Sequence, residues 1–266
     1  MINPNVWKAV RKNQDGNGKS EITTQRIWTQ ELPLPKFNFR AYLVLKRWMD
    51  ILGALTLIVL TLPVMLLIAI AIKLDSPGPV IFRQERVGAS VRGKGGRKNW
   101  EVTSFTIFKF RTMKHNVSSE SHKQFMAALI KGDEDTLAQL NGGKLDEKNK
   151  YKMVNDDRIT RVGKLLRKTS LDELPQLFNV LSGEMSLVGP RPAIPYEIDM
   201  MPVAFLERLA AKPGFTGWWQ VEGRSQVEFD KMVAMDVWYI HNANLWLDLE
   251  ILFKTPFAVL QSKGAA

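Results

Sequence analysis

Two adjacent carboxylates, Asp172 and Glu173, stand in the otherwise apolar stretch LRKTSLDELPQLFNV at 166–180. Arg167 lies just upstream of them. An ionised aspartate can attack phosphorus, and a pair of carboxylates can also hold Mg²⁺. The three residues are therefore candidates for catalysis, with Asp172 and Glu173 as candidate metal ligands as well.

The same acids also have a simpler explanation, which is that they start a helix. Ser170 and Glu173 fit a capping box. With Asp172 as the cap instead, Pro175 becomes the third helical residue, where its missing N–H costs no hydrogen bond. In both cases the acids lie at a helix N-terminus, where the helix dipole and the nearby arginine favour their ionised form.

Arginines held by stiff or tight turns are the next candidates, because a fixed guanidinium binds phosphate oxygens well. Pro190 and Pro192 enclose Arg191, and Arg224 follows a glycine. All four are predicted to form phosphate- or nucleotide-binding loops.

A strand-like segment offers two more cations. Lys109 and Arg111 alternate with phenylalanines in FKFRTM, so they form either the solvated face of a strand or a phosphate-binding face. Trp218 and Trp219 allow stacking on a base, packing in the core or anchoring at a membrane interface.

Composition narrows the choice of chemistry. The 266 residues carry 37 Lys and Arg against 27 Asp and Glu, a formal charge of +10, which favours a polyanionic partner or a phosphorylated substrate. The absence of cysteine excludes thiol nucleophiles and Cys-ligated metal, and three histidines make a His-rich metal site a poor hypothesis. Carboxylates are the remaining catalytic groups.

One long apolar run indicates a membrane-associated protein. Residues 51–72 carry no charge and are long enough to cross a hydrocarbon core of ~30 Å at ~1.5 Å per residue. Pro63 interrupts the run, and basic residues flank both ends, which places both ends in the cytoplasm. The pattern therefore leaves a kinked span and a re-entrant helix open, with Thr61 as a partner for the broken backbone. Residues 37–50, rich in aromatic and basic side chains, suit either a headgroup anchor or a short core helix.

The remaining pattern predicts a mainly helical α+β protein. It comprises a polar, disordered arm (1–36), the membrane segment (37–75) and a catalytic domain (76–266) with an inserted flap (114–150). Alternation predicts a β-hairpin over 80–112. Helices are expected from 157 onwards, one of them ending at Gly183, while SLVGPRPAIPYE and KPGFTGWWQVEGRS are expected to be loops and the last two helices amphipathic.

Six blocks in order make the chain resemble the bacterial sugar transferases, the monotopic phosphoglycosyl transferases. They are KRWMDILGA with its apolar run and proline, DSPGPVIFRQERVG, FKFRTM, DDRITRVGKLLRKTSLDELPQLFNVLSGEMSLVGPRP, KPGFTGWWQVEGRS and MDVWYIHN, across residues 40–260. The resemblance departs at two places. The 1–36 arm lacks the further transmembrane helices of larger members, and the flap is longer than in the smallest ones.

The resemblance implies a two-step transfer. Asp172 would attack the β-phosphate of a UDP-sugar, UMP would leave, and undecaprenyl phosphate would take the phosphosugar. It further implies Mg²⁺, support by Glu173 of the metal or the proton balance, and a re-entrant membrane helix. Arg167, Arg191 and Arg224 match arginines of the family's motifs; Asp236 and Tyr239 match a motif of unassigned task and are counted here with the substrate-binding residues.

The implied setting is the inner leaflet of the bacterial inner membrane, with the catalytic domain in the cytoplasm and no nucleic acid as partner. A homo-oligomer or downstream glycosyltransferases are the protein partners to test. Two other hypotheses stay open, an inactive scaffold of a polysaccharide assembly complex and a membrane-tethered basic protein that binds nucleic acid. Neither explains adjacent acids at a helix start next to a Pro-Arg-Pro loop.

Overall fold

The computed structural model describes residues 39–92, 99–115, 118, 120–141, 157–223 and 227–260. The predicted arm over 1–36, Arg224 and residues 142–150 of the predicted flap lie outside these ranges. The helices are α1 (Phe39–Asp75), α2 (Glu120–Lys131), α3 (Glu134–Leu140), α4 (Arg161–Thr169), α5 (Gln176–Ser182), α6 (Pro195–Met200), α7 (Trp218–Glu222), α8 (Phe229–Asn242) and α9 (Leu245–Leu260). The strands are β1 (Ile81–Arg92), β2 (Asn99–Phe110), β3 (Ser186–Val188) and β4 (Gly214–Thr216), and short 3-10 helices cover Leu171–Glu173 and Val203–Leu209.

The predicted hairpin is confirmed. Strands β1 and β2 pair antiparallel from Ile81 opposite Phe110 to Arg92 opposite Asn99. Ile107 and Phe110 of β2 are buried, whereas Phe82 of β1 is half exposed. Ile107 and Phe110 point to opposite faces of the hairpin and pack in two different clusters, so this end of β2 is covered on both faces.

A second, smaller sheet was not predicted. Strands β3 and β4 pair in parallel, with Ser186 opposite Gly214 and Val188 opposite Thr216. Both strands fall in segments expected to be loops, as does helix α7. Three-residue strands that pair across a long stretch of chain leave no periodic pattern in the sequence, so only the folded chain reveals them.

Helix α1 continues through Pro63 instead of ending there. The carbonyl that lacks its usual donor is that of Val59, four residues before the proline. The hydroxyl of Thr61 donates instead to the carbonyl of Leu57 at 2.7 Å. Such back-bonding by threonine commonly accompanies a bend.

One stripe of α1 packs on the protein on both sides of Pro63. Before the proline, Ala54 and Ile58 lie in a central cluster with residues of α5, β3 and α9. After it, Met65, Ile68 and Ile72 join Phe110 and Leu166 in what we call the distal cluster. The surface of α1 that contacts the domain, which we call the seat of α1, thus extends from Lys46 to Ile72, about 39 Å along the helix axis.

The opposite face of α1 is apolar and exposed. Residues Ala41–Asp75 have a mean hydropathy of 2.9 over the most apolar window, in which 17% of the residues are buried, so by length and composition this helix could cross a membrane. Helix α9 adds a second exposed apolar stripe at helical spacing, formed by Trp246, Leu249, Phe253, Phe257 and Leu260. These two faces are consistent with membrane anchoring.

The described part of the predicted flap packs on the rest of the protein. Phe125 and Met126 of α2 and Leu137 of α3 share a cluster with Leu206 and Val233. Helix α2 also contacts α6 and α8. The flap therefore covers the side of the domain from which the Pro-Arg-Pro loop emerges.

Candidate active site

The two acids lie in a separate 3-10 turn between α4 and α5, so neither cap reading is correct. Ser170 ends α4 in the left-handed conformation (φ 57°, ψ 16°) and makes no side-chain cap bond to the 3-10 helix. Pro175 precedes the first residue of α5. Among the described residues Ser170 is the one non-glycine with positive φ, a strain typical of functional sites, and it turns the chain so that Asp172 and Glu173 leave the helix axis.

Lys109 is brought to the acidic pair by strand β2. Its Nζ lies 2.7 Å from Oε1 of Glu173, and the two side chains are 22% and 31% exposed. The buried amide of Asn179 holds β2 in place, because it accepts from the N–H of Phe108 at 3.1 Å and donates to the carbonyl of Thr106 at 2.7 Å. Lys109 therefore lies beside the acidic pair and not on a fully solvated face of the strand, and its phosphate-binding role stays a prediction.

The environment drives the pKa values of the two acids apart. Burial and then the charge of Glu173 raise the pKa of Asp172 to about 6, against the charges of Lys109 and Arg167. Burial also disfavours ionised Glu173, but the charge and hydrogen bond of Lys109, with the charges of Arg191 and Arg86, bring the pKa of Glu173 below its usual value. The expectation that both ionised forms are favoured therefore holds for Glu173 and is wrong for Asp172, because a dipole and a cation do not offset burial beside a second acid.

The Pro-Arg-Pro loop is held through its carbonyl groups. The N–H of Gly214 donates to Pro190 O at 2.8 Å, and the N–H of Val87 donates to Ala193 O at 2.8 Å. Arg191 itself is 29% exposed in its side chain and lies 3.6 Å from the buried carboxylate of Glu197. Its guanidinium charge also helps to lower the pKa of Glu173, so Arg191 lies within electrostatic reach of the acidic pair.

Arg86 is a site residue that sequence reasoning missed. It is buried in β1, donates to Pro192 O at 3.0 Å and to Gln84 Oε1 at 2.7 Å, and its charge acts on Glu173. Burial and the charge of Arg191 lower its pKa to about 10, which still leaves the guanidinium charged at neutral pH. In the sequence Arg86 was counted only among the basic residues that flank the membrane run.

Arg111 is directed to the end of α1. Its buried guanidinium donates to the carbonyls of Pro77 and Ser76, each at 2.7 Å, and to the hydroxyl of Ser76 at 3.0 Å. It therefore caps the membrane helix, and the proposed phosphate-facing role of this residue has no support in its contacts.

Asp236 and Tyr239 are buried on α8 and bonded to protein groups. Asp236 accepts from Arg208 Nη2 at 2.6 Å, and burial raises its pKa to about 6 despite that cation. The hydroxyl of Tyr239 lies 2.6 Å from Asp248 Oδ1, while Lys46 of α1 contacts the other oxygen of Asp248 at 2.8 Å. Both residues thus connect elements around the site.

The flap brings His122 towards the loop. Its Nδ1 lies 2.5 Å from the hydroxyl of Tyr196 on α6. Burial and the charge of Arg191 lower the pKa of His122 to about 4, so the imidazole is neutral at pH 7.

Trp218 and Trp219 both pack on the protein. Trp218 lies 4.9 Å from Trp238 between ring centroids, with Lys254 Nζ 5.1 Å from its ring. Trp219 packs against the cluster that also contains the flap residues. Core packing is therefore the reading that the structure supports.

The donor set suits a cation that shares its coordination sphere with substrate. Within the described ranges no group of three or more His, Asp and Glu side chains could enclose a metal. Asp172 and Glu173 supply two adjacent carboxylates, and the charge of Glu173 helps to raise the pKa of Asp172, which a cation would reverse. Mg²⁺ typically binds in this way, through one or two carboxylates together with water and phosphate oxygens.

Comparisons with known proteins agree with the motifs. The family model for bacterial sugar transferases matches residues 41–262. The chain is 42% identical over 221 residues to a UDP-galactose-lipid carrier transferase of Erwinia amylovora, covering 83% of this chain and 41% of that protein. It is 42% identical over 221 residues to an undecaprenyl-phosphate galactose phosphotransferase of Salmonella typhimurium, again covering 83% of this chain and 41% of the relative. It is 38% identical over 223 residues to an exopolysaccharide production protein of Rhizobium meliloti, covering 83% of this chain and 87% of that protein. The chain therefore spans about two fifths of the length of the first two relatives.

Proposed function

This chain belongs to the bacterial sugar transferase family, and we propose that it transfers a phosphosugar from a UDP-sugar to undecaprenyl phosphate. The product would be a lipid-linked diphosphosugar, the first intermediate of an exopolysaccharide, capsule, O-antigen or glycoprotein glycan. UDP-galactose is the first donor to test, because relatives of this chain carry galactose in their names.

The observation that carries the proposal is that the pKa values of the two acids are shifted in opposite directions. Lys109 bonds Glu173, which holds the cation at the side of the site, while Asp172 next to it is subject to a different balance of charges. At pH 7 a carboxyl with a pKa near 6 is mostly ionised, and it is more basic than an ordinary aspartate. Both properties suit a nucleophile.

The reaction is balanced in two displacements at one phosphorus. A carboxylate oxygen of Asp172 forms a bond to the β-phosphorus, the bond from that phosphorus to the bridging oxygen breaks, and UMP leaves with the electron pair. An oxygen of undecaprenyl phosphate then attacks the same phosphorus, and the bond to Asp172 breaks and restores the carboxylate. Splitting the transfer in this way lets one site use the same cations for both displacements.

The cations of the site have separable tasks. Arg191 and Arg86 would offset the charge on the transferred phosphoryl oxygens, since positioned guanidinium groups stabilise such charge. Lys109 would keep Glu173 ionised and oriented. Asp172 and Glu173 would hold Mg²⁺, which when bound offsets the charge of both anionic reactants.

The seat of α1 supports a same-side arrangement at the membrane. A helix that crosses a hydrocarbon core of ~30 Å cannot remain packed on one cytoplasmic domain over about 39 Å of its length. We therefore propose that the apolar face of α1 enters the inner leaflet as a re-entrant segment and that both its ends face the cytoplasm. The lipid phosphate would then be presented to the acidic pair from the membrane surface.

The test uses the purified full chain in detergent with Mg²⁺, a panel of UDP-sugars and undecaprenyl phosphate. We expect UMP release from at least one donor, and a mass increase of one phosphosugar on the peptide that contains Asp172 when the lipid phosphate is left out. Asp172→Asn should reduce turnover by at least about 10³-fold, because removal of a covalent nucleophile closes the two-step route.

Asp230→Asn is the matched control, since it removes a carboxylate from an exposed residue at the start of α8. It should retain the parent's rate. UMP release without any trapped adduct, together with substantial turnover by Asp172→Asn, would show that the transfer is direct and that the nucleophile assignment is wrong.

A further inference from the structure

The backbone of the Pro-Arg-Pro loop is fixed at four consecutive carbonyl groups, from Pro190 to Ala193. Three of these carbonyls accept from Gly214 N–H, Arg86 and Val87 N–H at 2.8, 3.0 and 2.8 Å respectively. Proline has no N–H, so the loop cannot be held by a regular ladder of donors. Its carbonyls fix the backbone from which the Arg191 side chain extends, while the guanidinium itself lies 3.6 Å from Glu197 Oε1.

The fourth carbonyl, that of Arg191 itself, depends on a side chain. Arg208 Nη2 lies 3.4 Å from Arg191 O and 2.6 Å from Asp236 Oδ2. The side chains of Arg208 and Asp236 are each 1% exposed. Nε and Nη1 of Arg208 have no hydrogen-bond partner in the described structure, so its orientation rests on the Asp236 carboxylate and the Arg191 carbonyl.

A buried pair of this kind needs a reason beyond stability. Burying two charges costs several kcal/mol per ion before their attraction is counted, and apolar replacements of the same volume are often equally stable. A guanidinium presents its N–H groups in a rigid plane, so Nη2 of Arg208 donates to the Asp236 carboxylate and the Arg191 carbonyl in fixed directions, whereas a lysine ammonium lies at the end of a flexible stem. The geometry of the Arg208–Asp236 pair therefore suits a role in orienting another group.

We propose that Arg208 and Asp236 are positioning residues that orient Arg191 towards the phosphates of the nucleotide sugar. The inference rests on the proposed phosphoryl transfer and assigns Asp236 an indirect role instead of the substrate contact expected from the sequence. Neither residue touches substrate. Asp236 orients Arg208, and Arg208 fixes the carbonyl of Arg191 between the two prolines.

The first measurement separates positioning from stability. Arg208→Lys and Asp236→Asn should each lower kcat/KM about 10- to 100-fold, the usual range for residues that orient a functional side chain. Both should also lower Tm, since each leaves a buried polar group without its partner. The double variant Arg208→Met with Asp236→Leu removes both charges and should recover most of the lost Tm while its kcat/KM stays low.

A matched control is offered by the neighbouring pair of the same two elements. Glu207 Oε1 lies 2.7 Å from His241 Nε2. This contact joins the 3-10 helix over Val203–Leu209 to α8 and does not involve the loop. Glu207→Gln should keep kcat/KM within about threefold of the parent, because exposed pairs contribute little. If the double variant recovers activity together with Tm, the pair is only structural and the inference is overturned.

A second measurement asks whether Arg208 acts through Arg191. In an Arg191→Ala background, Arg208→Lys should lower kcat/KM by less than about threefold further, because contributions that pass through one residue are not additive. Full additivity of the two substitutions would overturn the proposal.

Amide hydrogen exchange tests the same idea without any reaction. Peptides that cover residues 186–194 should exchange faster in Arg208→Lys than in the parent and at the parent's rate in Glu207→Gln. This result does not depend on the donor or acceptor. An inactive parent with faster exchange in Arg208→Lys would refute the proposed function and leave the positioning intact, whereas an active parent with unchanged exchange would refute the positioning alone.

Discussion

Replacement of Pro63 by alanine should leave both ends of α1 on the same side of the membrane. The substitution restores a backbone hydrogen bond and recovers about 3 kcal/mol, and it creates an uninterrupted apolar helix that is long enough to span. Spanning would require the second half of α1 to leave the distal cluster, so that Met65, Ile68 and Ile72 enter hydrocarbon while their partners on the domain, Phe110 and Leu166, become exposed to water. At about 1.5–3 kcal/mol for each side chain exposed to water, the two partners cost about 3–6 kcal/mol. This loss, together with the basic flank that would have to be translocated, outweighs the gain from straightening the helix.

The assay uses single cysteines, for which the native chain offers no background. Ala41→Cys lies at the start of α1 and Glu85→Cys lies on β1, both at exposed positions. An impermeant thiol reagent applied to intact cells should label neither site, with or without Pro63→Ala. After the cells are opened, both sites should react.

A triple variant isolates the contribution of packing. When Met65, Ile68 and Ile72 are all replaced by alanine in the Pro63→Ala background, the balance moves towards spanning and Ala41→Cys should become labelled from outside. Labelling of Ala41→Cys from outside in the parent would show that α1 is an ordinary span. Labelling in Pro63→Ala alone would show that the proline, and not the distal cluster, decides the topology.

Three further predictions concern the acidic pair and its support. The rate of UMP release at donor and Mg²⁺ concentrations well below saturation, which reports the free enzyme, should fall as pH falls through about 6 and by about tenfold per unit below it, since burial and Glu173 raise the pKa of Asp172 and only its ionised form attacks; a flat profile from pH 7 to 5 would contradict this. Asn179→Asp should lower the free energy of unfolding by about 3 kcal/mol, because it replaces the amide that donates to Thr106 O and Glu184 Oε2 at 2.7 and 2.8 Å by a carboxylate. A loss of less than about 1 kcal/mol in urea denaturation would refute the idea that Asn179 holds β2 in place. Ser170→Gly should change stability by less than about 1 kcal/mol, whereas Ser170→Val should cost about 2 kcal/mol and reduce activity, because a branched side chain resists positive φ; equal denaturation midpoints for the two variants would contradict that reasoning.

Several elements could be predicted because their signals are local. The alternation in VIFRQERV and FTIFKFRT predicts β1 and β2, and a 3.6-residue period predicts α8 and α9. Gly183 ends α5 with φ of 87°, as a left-handed cap requires. Helix α4 lies in the stretch from 157 onwards that was expected to be helical, with Leu166 buried and Leu165 61% exposed.

The roles of individual cations could not be predicted in the same way. Lys109 and Arg111 occupy equivalent places in FKFRTM, yet one meets Glu173 and the other meets the end of α1. Arg86 and Arg208 lie in segments that gave no sign of the loop they support. Which carbonyl or carboxylate a long side chain reaches depends on how distant segments pack.

By itself, then, the sequence determined the family and the candidate residues: an acidic pair, arginines in stiff loops and a long apolar helix, in motifs specific enough for the family. Such features persist in an unfolded chain because they depend on residue type and close spacing. The tertiary structure alone decided that Asp172 has a raised pKa, that α1 lies along the domain, and that Asp236 serves Arg191 through Arg208. Burial, long-range packing and charges from distant segments act only once the chain is folded, and they determine the pKa and the contacts of each group.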